Sequence, residues 1–143
     1  MFEEYFEQLG LSRVVCERVE SLYASYIRAV DAARVPSIFV ENTIEADGTR
    51  VWGSLWIYGP DYAGEVKNFQ TETRFDGFNF KHPITRWECT LENYEIGDAA
   101  TTNSRFLLYW NAEGISGKMP ATGMNCEQLS HFFTSVIVPH DAA

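Results

Sequence analysis

The hydrophobic pattern has helical spacing near the N-terminus, alternates through the middle of the chain and returns to helical spacing near the C-terminus. Residues 2–9 carry apolar side chains on one side, and Gly10 follows them, which predicts a short helix. Ser12 can cap a second, longer helix, and Pro36 sets the limit of that helix. Its apolar stripe consists of Val15, Val19, Leu22, Tyr26, Val30 and Ala33. Two amphipathic helices are therefore predicted before the first strand.

Alternation over residues 37–119 predicts about six strands in hairpin succession. Asp47-Gly48, between two alternating runs, is a strong hairpin signal, and Gly59-Pro60-Asp61 joins the second and third strands. Residues 71–83 are predicted to be a loop. The predicted strands are 37–45, 51–58, 62–69, 84–94, 102–112 and 115–119.

The second strand has no polar face. One face carries Val51, Gly53, Leu55 and Ile57, and the other carries Trp52, Ser54, Trp56 and Tyr58. Such a strand is usually covered on both sides or lies at the centre of a sheet. We expect the long N-terminal helix to cover the face with the tryptophans; if that face were exposed, it would be an interaction surface.

The strand over residues 84–94 alternates more cleanly. Trp87, Cys89 and Leu91 are predicted to point inward. The outward side chains are Arg86, Glu88, Thr90 and Glu92. This pattern predicts a sheet with one solvated face.

The last element is predicted to be a helix over residues 125–138, ended by Pro139. Asn125 can cap it, and Gln128 completes a variant of the capping box. Its apolar stripe is Leu129, Phe132, Phe133 and Val136. The fold class is therefore α+β: a helical segment (1–35), a bent antiparallel sheet or partly open barrel (37–119) and a C-terminal capping helix, within one domain spanning 1–143.

Charge and cysteine content narrow the classes of partner and the compartment in which the protein could work. The formal net charge is −9, which disfavours nucleic acid and anionic membrane surfaces and allows a basic protein partner. Cys16, Cys89 and Cys126 are far apart and fit neither a zinc site nor a disulfide framework, so we expect reduced thiols in the cytoplasm. The acidic first ten residues do not resemble a signal peptide, and no stretch has the apolar length of a membrane span.

Candidate chemistry is sparse. Cys126 and His131 are the best nucleophile and base by residue type, but about 140° separates them around a helix. His82 with Glu72 and Asp76 could form an acid–base or metal site, although no second histidine lies at ligand spacing. A structural role is the simpler interpretation for all of these residues, so we expect no catalytic residue, no metal and no cofactor.

Aromatic side chains are the better candidates for binding. They occur on the second strand and in the predicted loop, where three phenylalanines suggest that the loop folds onto the core or lines a site. The candidate binding residues are Trp52, Trp56, Tyr58, Phe75, Phe78, Phe80 and His82.

The glycine-containing strand over residues 53–58, the strand at 62–69 and the helix at 125–138 resemble the pleckstrin-homology superfold, including its GRAM-type and bacterial variants. The resemblance covers residues 37–138 and implies a strongly bent antiparallel sheet closed at one end by the C-terminal helix. Phosphoinositide-binding members carry a Lys and Arg cluster around the first hairpin. Here that hairpin has Glu45, Asp47 and a single Arg50, so the resemblance implies protein binding rather than lipid binding.

Two functions remain open. The leading hypothesis is a small non-enzymatic module that recognises another protein, for example as an inhibitor or immunity-type protein, and that could also form a homo-oligomer. The alternative is a small-molecule pocket protein or enzyme of the cone-shaped NTF2-like type. A closed cavity with His82 or His131 beside a carboxylate would favour the alternative.

Overall fold

A computed structural model describes residues 2–24, 37–45, 47–59, 62–71, 74, 76–79, 84–96, 101–112 and 115–141. Within these residues, two helices precede seven strands, and a third helix follows them. The helices are α1 (Glu3–Leu9), α2 (Arg13–Leu22) and α3 (Asn125–Phe132), which continues as a π-helical segment (Phe133–Ile137). The strands are β1 (Ser37–Ile44), β2 (Arg50–Gly59), β3 (Tyr62–Val66), β4 (Asp76–Asn79), β5 (Ile84–Ile96), β6 (Thr101–Ala112) and β7 (Ile115–Thr122).

The strands form two antiparallel sheets, one in the order β1-β2-β3-β4 and one in the order β5-β6-β7. This confirms the α+β class, and backbone pairing between the described strands does not close the sheets into a barrel. The strand beyond the predicted six is β4, which lies in a segment predicted as a loop. Its four residues pair with β3, and so short a strand has too little alternation to be seen in sequence.

The N-terminal helices begin and end where their cap residues predict. Gly10 follows α1 in the left-handed conformation, and the Ser12 hydroxyl accepts a hydrogen bond from the Val15 amide at the start of α2. The stripe on α2 is buried at Val15, Val19 and Leu22. The rest of the predicted long helix, over 25–36, lies outside the described residues.

A bulge in β2 changes which side chains share a face. Val40 of β1 lies opposite Leu55, but Asn42 lies opposite Trp52, so β2 contains one extra residue between these pairs. A Cβ atom on Gly53 would lie 2.8 Å from the Glu41 Cβ atom, so the close approach of the two strands at the bulge depends on glycine there. The prediction that Trp52 shares a face with Trp56 and Tyr58 is therefore wrong.

The two faces of β2 contribute to two different apolar cores. Leu55 and Ile57, with Trp52 at the margin, pack in a first core with α1 and α2. Trp56 and Tyr58 pack in a second core with the β5-β6-β7 sheet and α3. The prediction that β2 is covered on both sides is confirmed. Among the described elements, α3 covers Trp56, whereas α1 and α2 lie on the opposite face of β2, where they pack against Leu55 and Ile57.

Helix α3 docks through its predicted stripe. Leu129, Phe132 and Val136 are fully buried, and Phe133 is half-buried against the same core. The helix lies across β7, β6 and β1. The predicted cap is wrong, because Asn125 is the first helical residue and its buried amide makes no capping hydrogen bond.

Candidate functional site

A buried polar network joins the neighbouring strands β1 and β7. The Asn125 amide donates to the Val40 carbonyl at 2.7 Å and to Asn42 Oδ1 at 2.8 Å. Asn42 also donates to the Thr122 hydroxyl and accepts from the Thr122 amide. The Tyr5 hydroxyl of α1 donates to Asn125 Oδ1 at 2.6 Å and accepts from the Val40 amide at 3.0 Å. Side chains thus satisfy backbone groups of β1 and fix both terminal helices to the sheets.

Tyr5→Phe is expected to lower the free energy of unfolding by about 1–3 kcal/mol, because it leaves the buried Val40 amide and Asn125 Oδ1 without this partner. Urea unfolding of both proteins measures the difference. Tyr109→Phe is the matched control, because Tyr109 is half-buried on the outer face of its sheet. Loss of its hydroxyl group should change the free energy of unfolding by less than about 0.5 kcal/mol. Equal effects of the two substitutions would contradict a structural role for the network.

The sequence-predicted nucleophile and base do not meet. The Cys126 thiol faces the Ser104 and Ala121 carbonyls at 3.7 and 3.4 Å, and burial raises its pKa. His131 instead shares a hydrogen bond of 2.7 Å between its Nδ1 and the Tyr58 hydroxyl, and its Nε2 lies 3.4 Å from the Ser135 hydroxyl. These contacts hold each side chain in place within the fold and assemble no reactive pair.

Strand β5 departs most from its predicted environment. The three side chains predicted to point inward, Trp87, Cys89 and Leu91, are all exposed, and Leu91 is 69% exposed. They do lie on the core side of the sheet, since they are opposite Trp110, Leu108 and Phe106 of β6. Helix α3 packs mainly over β6 and β7 on that side, so the inner face of β5 extends beyond it. We call Trp87, Cys89 and Leu91 the β5 apolar stripe.

Aromatic and backbone groups border this stripe. The Trp87 ring is 38% exposed and meets Phe133 of the C-terminal segment edge to face, with centroids 5.0 Å apart. Its indole nitrogen donates to Asp141 Oδ2 at 3.1 Å. The Ile84 amide donates to the His140 carbonyl, and among the described residues no strand pairs with that edge of β5 beyond Ile84. A long edge strand with uncovered apolar side chains therefore runs beside the C-terminal segment.

The opposite face of β5 is charged. Arg86 forms an ion pair with Glu88 within the strand, and Glu92 pairs with Arg105 of β6. The edge thus separates an apolar face from a polar one, and a strand added there would meet both. Desolvation raises the pKa of the Cys89 thiol, so this exposed cysteine stays protonated near neutral pH.

The predicted binding residues are not brought together in one described surface. Trp56 and Tyr58 are 3% and 1% exposed, and Trp52 lies on the other side of β2. Phe78 lies in β4, whereas Phe75, Phe80 and His82 lie outside the described residues. The β5 apolar stripe was missed because alternation shows which side a residue takes but not how far a helix extends over that side.

Other features of the described chain point to no ligand. The clefts lined by α1 with α2, by Trp52 with residues 68–71, and by α1 with the start of α3 contain no histidine. Arg50, the single arginine of the first hairpin, donates to the Leu9 carbonyl of α1. The described residues include no cluster of His, Cys, Asp and Glu that could hold a metal ion. None of the described helices has the length and apolar character required to cross a membrane.

Comparison with protein-family models, with curated proteins and with solved structures found no match for this chain.

Proposed function

We propose that this protein is a non-enzymatic binding module that recognises another protein through the edge of β5. The observation that carries the proposal is the β5 apolar stripe beside Phe133, on a strand edge with which no described strand pairs beyond Ile84. Folded proteins usually cover, shorten or charge such edges, because free backbone donors and acceptors beside apolar side chains attract other chains. An extended partner segment would pair with the β5 backbone and place alternate side chains against Leu91 and Phe133.

Charge and free cysteines bear on the partner and on the compartment of this module. With a formal net charge of −9, the protein suits a basic partner, and an inhibitor or immunity-type protein is one form that such a module takes. We also propose a cytoplasmic location, which is supported by the three free cysteines. We also propose that the sheets have a pleckstrin-homology-like arrangement, which is supported by the consecutive antiparallel strands and the C-terminal helix packed across them.

A photo-reactive residue at position 91 is expected to form a covalent adduct with a discrete partner in the cells that naturally produce the protein. Leu91 lies on the apolar side of β5, and its neighbour Thr90 is equally available on the polar side. p-Benzoylphenylalanine is placed at either position, and adducts are identified by mass spectrometry after irradiation. An adduct from position 91 and none from position 90 supports recognition through the apolar side; no adduct, or equal adducts from both positions, overturns it.

A further inference from the structure

We propose that the partner at the β5 edge is a second copy of this chain, paired antiparallel through its own β5 about a two-fold axis at Cys89. The inference rests on the proposed function, because it names the protein that pairs with the same edge; this second copy takes the place of the basic partner described above. Two three-stranded sheets would then join into one six-stranded sheet in the order β7-β6-β5-β5-β6-β7. Such an interface is isologous, so every contact away from the axis occurs twice, once in each direction.

The sequence of β5 is complementary to itself about Cys89. In antiparallel pairing centred there, position 87 lies opposite position 91 and position 86 opposite position 92. Trp87 of each copy therefore meets Leu91 of the other on the apolar side. Arg86 meets Glu92 on the polar side, so both symmetric contacts join opposite charges.

This pairing also covers the surface that the single chain leaves exposed. Directly opposite residues in an antiparallel pair place their side chains on the same face, so the two β5 apolar stripes merge into one. The merged stripe lies between the two copies of α3, with a half-buried Phe133 at each end. Leu91, which is 69% exposed in one copy, would lie against the Trp87 ring of the other.

The C-terminal segment limits where the second copy can pair. The Ile84 amide already donates to the His140 carbonyl, so the free edge begins near Arg86. A seven-residue segment from Arg86 to Glu92 is symmetric about Cys89 and fits within this free edge. The negative net charge of both copies opposes association, so the dimer should form more readily at physiological salt than at low salt.

Charge reversal followed by mixing tests this register. Wild-type protein is expected to form a dimer by light scattering over a concentration series reaching the millimolar range. Arg86→Glu and Glu92→Arg should each weaken the dimer about tenfold or more, because each places like charges opposite each other twice. An equimolar mixture of the two variants restores both opposite-charge pairs and should dimerise. A monomeric wild type, or a mixture that associates no better than the separate variants, overturns the proposal.

Cross-linking at the symmetry axis gives an independent test. Two Cys89 residues facing each other across an antiparallel pair have Cα atoms within disulfide reach. In a Cys16→Ser, Cys126→Ser protein, diamide should convert the dimer to a disulfide-linked pair by taking two electrons and two protons from the Cys89 thiols. The matched control keeps Cys126 and carries Cys16→Ser and Cys89→Ser, and it should not cross-link. Equal cross-linking of both proteins overturns the Cys89 axis.

Together, these experiments distinguish a failure of the second-copy proposal from a failure of the proposed function. A monomeric protein whose position 91 is cross-linked to a different protein rejects the second copy and retains recognition through β5. A monomeric protein without any adduct at position 91 rejects both.

Discussion

Replacing Phe132 by alanine is expected to lower the free energy of unfolding by about 3–5 kcal/mol. The Phe132 ring is fully buried and meets Tyr58 edge to face, with centroids 4.8 Å apart, and Trp56 at 6.3 Å. Its removal leaves a cavity where α3 meets β2, and the rigid aromatic neighbours can only partly fill that space. Denaturant unfolding measures the loss as a lower midpoint with an unchanged slope.

The neighbouring Phe133→Ala is the matched control for this prediction. Phe133 is half-buried and contacts Trp87 at the margin of the helix, so its loss should cost about 1 kcal/mol. The difference between the two substitutions reports how firmly α3 is docked. A loss below about 1 kcal/mol for Phe132→Ala would show that the helix does not form part of the core.

The docking face of α3 was predictable from sequence because helical spacing selects one side of a helix directly. Leu129, Phe132 and Val136 fall on that side and are all buried. The burial of β2 on both faces was predictable for a related reason, since large apolar side chains occupy both alternating sets. Local chemistry likewise located the cap at Ser12 and the hairpin turn at Asp47-Gly48.

Features that depend on how elements are placed against one another were not predictable. The bulge near Gly53 is set by the register between β1 and β2, and it moves Trp52 to the other core. The glycine was its one signal, because glycine within a strand often marks a bulge. Leu91 is exposed because α3 packs mainly over β6 and β7. The sequence of β5 alone contains no information about where α3 packs.

The residues that suggested chemistry were placed by the same tertiary contacts. His131 lies against Tyr58, and Cys126 lies against backbone carbonyls. Their surroundings, and not their residue types, therefore determine whether they can react. The most perturbed carboxyl group in the described chain, that of Glu41, was not singled out by sequence at all. It occupies a middle position of a strand, where alternation does not predict its neighbours on the facing strand.

Glu41 is buried opposite the β2 bulge. The pKa of its carboxyl group is raised to about 7, and burial is the largest cause. The charge of Glu65 also raises this pKa, whereas hydrogen bonds from the Trp56 indole and the Ser54 amide lower it. The Trp56 Nε1 to Glu41 Oε2 distance is 2.5 Å. The group is therefore only partly ionised near neutral pH, and its ionisation places a charge at a buried position.

The pH dependence of stability follows from this raised pKa. In the unfolded chain the carboxyl group has its ordinary pKa of 4.5, so between about pH 4.5 and 7 the folded protein binds a proton that the unfolded chain has released. The stabilisation linked to that proton is fully present below pH 4.5. It is lost as the pH rises through 7, and the difference between pKa values of 4.5 and about 7 corresponds to about 3 kcal/mol.

Glu41→Gln is expected to abolish this loss, because glutamine keeps a side-chain oxygen for the Trp56 indole and cannot ionise. The variant and the wild type should differ by less than about 1 kcal/mol at pH 4.5, where the carboxyl group is neutral in the folded protein. The free energy of unfolding of the variant minus that of wild type should be about 3 kcal/mol greater at pH 8 than at pH 4.5. Urea unfolding at both pH values measures this change, and subtracting the wild type removes the contribution of every other titrating group. A stability difference that is the same at both pH values would show that the pKa of Glu41 is not raised in the folded protein, and that its surroundings stabilise the charge despite its burial.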